Sequence, residues 1–274
     1  MRILKKILIG SRNLLLLLLL FVSSLLAVVA YKFIPVYYTP LMFIRVYEQV
    51  RDSKPIKLEH KWMPLKQIAQ PLAQAVVASE DNLFLDHDGF DMIQIQKARA
   101  DAEKGKRVRG ASTISQQTAK NVFLWPGRTY LRKGIEAYFT VLIEWIWGKE
   151  RIMEVYLNSI EMGDGIYGAE AVAQAHFKKP AYKLTKAEAA LIAATLPNPR
   201  KFNSAKPSPY MLKRQTKIMS LMGKLLKIKM GYDSGDSDPE SGSRKVRKRK
   251  KLRVESDTTV YLLEKNIYIR TIII

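Results

Sequence analysis

The stretch L-K-Q-I-A-Q-P-L-A-Q-A-V-V-A-S-E-D-N-L-F-L-D-H-D-G-F-D, Leu65 to Asp91, runs from apolar helical spacing straight into a dense polar block. Ile68, Leu72, Ala75 and Val76 recur at the interval of one helix face, so Leu65 to Ser79 is predicted as a helix with a buried side. The block that follows, Glu80 to Asp91, crowds carboxylates, a histidine and a glycine into a few turns of chain. A helix surface needs no such density, whereas a site handling a polar, anionic substrate does. A second block, G-A-S-T-I-S-Q-Q-T-A-K-N, occupies Gly110 to Asn121.

Outward from these blocks the pattern stays helical. Thr113-Ile-Ser-Gln116 fits a capping box opening a helix through Lys120, and Thr185-Lys-Ala-Glu188 fits another, opening an Ala-rich helix that Pro197 and Pro199 stop. Arg132 to Trp147 and Lys149 to Ile160 read as two amphipathic helices divided near Gly148, and Gly163 to Gly168 is a glycine-rich turn. Few segments alternate with strand period. The expected fold is mainly α, with one domain over residues 60–230 and a basic, low-complexity tail over 231–274.

Ahead of that domain, Leu14 to Tyr31 is an apolar run relieved only by Ser23 and Ser24 and preceded by Arg2, Lys5, Lys6 and Arg12. Roughly 20 apolar residues span a bilayer as a helix. Residues 1–32 therefore read as a cytoplasmic N-terminus and transmembrane anchor, with the basic residues kept inside and the rest of the chain outside. A cleaved signal peptide has the same layout, but no small-x-small cleavage site follows the run. Residues 33–59 read as an interfacial segment and linker, since Phe33 to Ile44 is aromatic, apolar and broken by two prolines.

The 274 residues hold 46 Lys+Arg against 25 Asp+Glu, a net charge of +21. Eight of the basic side chains lie in the run 244–253; without them the balance is still +13. Such a balance favours an anionic lipid surface or a phosphorylated ligand. Nucleic acid would also suit this charge, but the outward topology argues against it, and none is expected as a partner. The absence of cysteine excludes disulfides, thiolate metal sites and a Cys nucleophile.

Chemistry concentrates on a few side chains. Glu80 emerges where a core-packed helix ends, beside Asp81, the surroundings required of a general base or acid near neutral pH. Alone it would be a surface carboxylate; the spacing E-D-x-x-F-x-x-H-x-G-x-D, with Phe84, His87, Gly89 and Asp91, is what distinguishes it. Gln116 and Lys120 share a helix face beside Gln117 and Asn121, a donor-rich surface for sugar amides and phosphate oxygens. Arg128, Arg132 and Lys133 precede Glu136. Arg132 and Glu136 at i, i+4 make an ordinary ion pair, yet with Lys120 these residues offer four cations to a leaving diphosphate.

Taken in order, these blocks resemble the peptidoglycan glycosyltransferase family, shared by monofunctional biosynthetic transglycosylases and the first domain of bifunctional penicillin-binding proteins. The matching motifs are E-D-x-x-F-x-x-H-x-G-x-D, G-x-S-T-x-x-Q-Q-x-x-K-N, R-K-x-x-E-A (Arg132 to Ala137), the helix ending Y-L-N, and L-T-x-x-E-A-A (Leu184 to Ala190). They cover about residues 60–220. No transpeptidase segment follows, so the monofunctional type is the nearer match. His176-Phe-Lys-Lys179 departs from the Tyr-Phe-Gly-Lys common in the family.

The resemblance implies a lysozyme-like helical domain behind a transmembrane helix in the bacterial cytoplasmic membrane. Such a domain polymerises lipid II onto a growing lipid-linked glycan with inversion, giving β-1,4 chains and releasing polyprenyl diphosphate. It implies Glu80 as the base for the acceptor 4-hydroxyl and Glu136 as the second carboxylate. Ser112, Gln116, Gln117, Lys120, Arg128, Arg132 and Lys133 match substrate and diphosphate contacts, and Asp81, Phe84, His87 and Asn121 are counted with them. No protein metal site is expected, although Mg or Mn could bridge the diphosphate. Membrane lipids and other cell-wall synthesis proteins are the expected partners. A lysozyme-like hydrolase, which also uses a carboxylic acid in a helical domain, is the competing reading.

Overall fold

The computed structural model describes residues 2–105, 110, 112–127 and 129–224. Arg128 and the basic tail lie outside the described residues. The first helix, α1, runs Arg2–Phe33, and its Arg12–Phe33 portion, 22 residues of mean hydropathy 2.8, is long and apolar enough to cross a membrane. Its side chains from Leu14 to Leu20 are exposed.

The segment after α1 holds a helix that the sequence reading did not foresee. Thr39 caps a second helix, α2 (Pro40–Arg51), by accepting the Met42 amide, and Pro40 suits the first turn. Tyr37, Tyr38, Phe43 and Tyr47 are all exposed, so the aromatic character of the segment lies on a surface.

The body is mainly α, as expected. A 3₁₀ turn at Leu65–Gln67 leads into α3 (Gln70–Glu80), which buries Leu72, Ala73 and Ala75 to Ala78. Pro71 in the first turn explains why the helix expected from Leu65 starts later. An unexpected helix follows, α4 (Met92–Glu103); Asp91 caps it, but it buries no residue, so no apolar period marked it. Next come α5 (Ile114–Phe123), α6 (Tyr130–Ile146) and α7 (Gly148–Ser159). Then α8 (Ala169–Phe177), α9 (Lys186–Thr195) and α10 (Pro209–Met222) complete the described chain. Both capping boxes form, at Thr113/Gln116 and Thr185/Glu188.

Helix α3 packs on α9 and α10, while α5 packs on α6 and α7. Tyr156, Phe84, Leu72, Ile114, Ile143 and Ile152 are among the fully buried side chains of the core. The glycine-rich turn joins strands β2 (Glu161–Gly163) and β3 (Ile166–Tyr167), and β1 (Glu59–His60) pairs parallel to β3. Strands of two or three residues show no alternation to read, which is why none was foreseen. At Gly168 (φ +83°) a Cβ would lie 2.6 Å from the Asn158 carbonyl oxygen, so only glycine fits where α7 meets the sheet.

Candidate active site

Glu80 is the last residue of α3, where the apolar face that buries the helix ends. Its side chain is only 15% exposed. Oε1 accepts the Ser79 hydroxyl at 2.9 Å, Oε2 accepts the Gln117 amide at 3.3 Å, and the Arg214 guanidinium lies 3.6 Å away. Arg214, on α10, also donates to Ser79 at 3.0 Å. Gln117 in turn accepts the Tyr156 hydroxyl at 3.3 Å. Burial first, then the negative charges of Glu80 and Asp81, push the Tyr156 phenol well above its ordinary value and keep it a donor.

The second carboxylate sits in a cationic nest. Glu136, 3% exposed, accepts the buried Arg132 guanidinium at 2.6 Å and also pairs with Lys133. Lys120 faces the same group from α5. Burial foremost, then Arg132 and Lys133, pull its ammonium below the ordinary lysine value, opposed by the attraction of Glu136. Among the described residues, Asn121 Nδ2 and Arg132 Nε are buried donors without a protein acceptor. Gln117, which donates to Glu80, and Lys120, which feels the charge of Glu136, stand three residues apart on one face of α5.

Three expected substrate contacts take another place. Asp81, Phe84 and His87 turn inward and hold the loop between α3 and α4. His87 Nδ1 accepts the Gly89 amide, so Nε2 carries the proton that it donates to Asp81 at 3.0 Å. Asp81 also accepts the Ile114 amide at 2.9 Å, placing a carboxylate on the N-terminus of α5. Phe84 is fully buried beneath the Lys149 ammonium, 4.7 Å from the ring centroid. Gln116 is likewise occupied, its side chain closing the capping box on the Thr113 amide. Ser112 is exposed just before α5.

Several participants had no signal in the sequence. Arg214 belongs to no motif, and only the packing of α10 on α3 brings it to Glu80. Tyr156 is a fully buried core residue of α7, but its hydroxyl reaches the site. Glu144 and Lys149, paired at 2.6 Å, tie the loop to α6, because Lys149 also donates to the His87 carbonyl.

A helical domain presenting one hydrogen-bonded carboxylate and a second carboxylate among cations has the parts for glycosyl transfer from an anionic leaving group. The chain matches the family described as Transglycosylase over residues 48–223. It is 59% identical to the biosynthetic peptidoglycan transglycosylase of Bacteroides thetaiotaomicron over 218 residues, 80% of this chain and 87% of that one. It is 53% identical to the protein of that name from Caulobacter vibrioides over 214 residues, covering 77% of this chain and 91% of the other. This chain belongs to the transglycosylase family, with its lysozyme-like helical domain.

Proposed function

We propose that this transglycosylase polymerises lipid II into β-1,4-linked glycan at the outer face of the bacterial cytoplasmic membrane, with its N-terminus inside. The observation that carries the reading is the link of Glu80 to the Lys120, Arg132, Lys133 and Glu136 cluster through the Gln117–Lys120 turn of α5.

The acceptor's 4-hydroxyl oxygen attacks the anomeric carbon of the lipid-linked donor. As that bond forms, Glu80 takes the hydroxyl proton and the bond from the anomeric carbon to the diphosphate oxygen breaks. Its electron pair leaves with the polyprenyl diphosphate, and the anomeric centre inverts. Ser79, Gln117 and Arg214 hold the Glu80 carboxylate in place for this step. Lys120, Arg132, Lys133 and, in this reading, Arg128 receive the diphosphate charge, with Glu136 orienting two of the cations. The orphaned donors of Asn121 and Arg132 suit diphosphate oxygens. A divalent cation such as Mg or Mn, were it to accompany the diphosphate, would neutralise charge there beside Lys120, Arg132 and Lys133; among the described residues no group of three or more His, Asp or Glu is placed to hold a metal ion. Both substrates stay in the bilayer by their lipids, and α1 with the aromatic surface of residues 33–47 keeps the catalyst there.

The test is polymerisation of lipid II by wild type and Glu80→Gln. Glu80→Gln should lower turnover by about a hundredfold or more with substrate binding retained. A near-normal rate would remove Glu80 as the base. Clearing of preformed glycan in place of polymer ladders would favour the hydrolase.

A further inference from the structure

A second cleft opens on the far side of α7 from Gln117. Tyr37, Tyr38, Leu58, His60, Lys61 and Trp62 line it, and it holds about 390 Å³, within the span of small-molecule sites, roughly 300–1,000 Å³. Two separate stretches of chain meet there, the link between α1 and α2 and the strand β1 at the edge of the sheet. Helix α7 divides this cleft from the carboxylates. Tyr156 sends its hydroxyl to Gln117, whereas Asn158 holds His60 and Arg151 covers Trp62. Those two residues stand about 200° and about 140° round the helix from Tyr156.

The lining is aromatic with a few polar groups. Tyr37 and Tyr38 are 55% and 60% exposed, and the half-buried Trp62 lies beside them on the cleft wall. Rings of this kind present negative π faces, which suit the C–H groups of a pyranose. His60 Nε2 lies 3.0 Å from the Asn158 carbonyl, which can only accept, so Nε2 carries the proton. Burial, opposed by that bond, holds the imidazole below its ordinary pKa and keeps it neutral, which leaves Nδ1 as an acceptor for a hydroxyl or an amide. Lys61 adds an ammonium on a side chain 66% exposed, with Glu170 at 3.5 Å.

The charges argue against a phospholipid headgroup. Arg151 donates to Glu154 and to the carbonyls of Tyr31 and Ile34, so its guanidinium is committed. With His60 neutral, Lys61 is the one cation among the six lining residues, whereas anionic lipid is drawn to clusters of roughly four to eight Lys and Arg. An ammonium headgroup fares no better, because Arg151 already covers the Trp62 ring, 5.2 Å from its centroid. A polyol with apolar ring faces, amide groups and a carboxylate matches what is left.

We propose that this cleft binds a carboxylated amino-sugar oligosaccharide, with its pyranose rings against Tyr37, Tyr38 and Trp62, an acetamido N–H on His60 and a carboxylate on Lys61. The ligand class rests on the reading that this chain polymerises such a glycan. The growing chain and a preformed strand share this chemistry.

The experiment titrates the full chain in detergent micelles with two probes. One is the neutral N-acetylglucosamine tetramer, and the other is a peptide-free tetrasaccharide of alternating N-acetylglucosamine and N-acetylmuramic acid, which carries carboxylates. Trp62 emission is the difference between wild type and Trp62→Phe. Both probes should shift it, the carboxylated one at lower concentration. Tyr38→Ala, an exposed position with folding checked by melting temperature, should weaken both about fivefold. Lys61→Gln should weaken the carboxylated probe alone, by about threefold. Product ladders then assign the source: shorter chains from Tyr38→Ala identify the growing chain, and unchanged chains with saccharide binding lost identify a preformed strand. Saccharide binding undiminished in both Tyr37→Ala and Tyr38→Ala would overturn the cleft. Glycerophosphoglycerol shifting Trp62 emission where the saccharides do not would overturn it in favour of a lipid headgroup. Wild type that makes ladders yet answers neither saccharide would count against the cleft alone, whereas wild type that makes no ladders would remove the polymerase reading.

Discussion

The Gln117 side chain accepts the Tyr156 hydroxyl at 3.3 Å and donates to Glu80 Oε2 at the same separation. Because the buried phenol stays protonated, it donates to the amide oxygen and so turns the amide nitrogen toward Glu80. The orientation of a surface-accessible amide is thus set from inside the core, by a residue of α7.

Gln117→Ala removes one charge-assisted donor from Glu80, a contact of about 1.5 kcal/mol, so polymerisation should slow roughly tenfold. Tyr156→Phe should give a smaller loss of the same kind, through misorientation of the amide. The double variant should be no slower than Gln117→Ala alone, since both act on one contact. Fully additive losses in the steady-state rate of lipid II consumption would sink the relay.

The sequence exposed some of this arrangement and hid the rest for physical reasons. Motifs are local in chain, so Glu80, Gln117, Lys120 and Glu136 were legible, as were helices with strong apolar period or capping boxes. Arg214 was not, because its proximity to Glu80 depends on how α10 lies on α3, a tertiary fact with no local trace. The inward turn of Asp81 and His87 was hidden for a related reason. The same polar residues serve equally to touch a ligand or to pin a loop, and only the Ile114 and Gly89 amides decide between them. Helix α4 has no buried face and so left no period to detect.

Arg132 and Glu136 form a buried pair, and without Arg132 the buried Glu136 keeps only the half-exposed Lys133 as its ion-pair partner. Arg132→Met should cost about 3–5 kcal/mol of stability. Arg132→Met combined with Glu136→Leu should regain part of that loss while remaining inactive. Chemical denaturation checks the first statement, and the polymerisation assay checks the second. A double variant less stable than Arg132→Met would contradict the pairing.

Gly89 holds φ +91°, and a Cβ there would approach Thr140 Cγ2 to 2.8 Å. Gly89→Ala should destabilise the protein by about 1–3 kcal/mol through backbone strain, with steric crowding added. Thr140→Ser in the same chain should relieve only the crowding. An unchanged melting temperature for Gly89→Ala would show that the loop between α3 and α4 relaxes without cost.

Lys120 gives opposite pH signs for stability and for activity. Its ammonium releases its proton more easily in the folded chain than in the unfolded one, chiefly because it is buried. Between the lowered folded pKa and the ordinary lysine value, the unfolded chain holds more protons, so raising the pH across that window favours the fold. Over the same window the site loses a cation that receives the diphosphate, so turnover should fall. Binding of a diphosphate opposes the loss by stabilising the ammonium, and complex formation there should take up a proton. Lys120→Arg, whose guanidinium does not titrate in this range, should carry activity to higher pH and abolish the proton uptake. The measurements are a pH–rate profile and calorimetry of farnesyl diphosphate binding in two buffers of different ionisation enthalpy. Identical alkaline limbs for wild type and an active Lys120→Arg would exclude Lys120 as the titrating group.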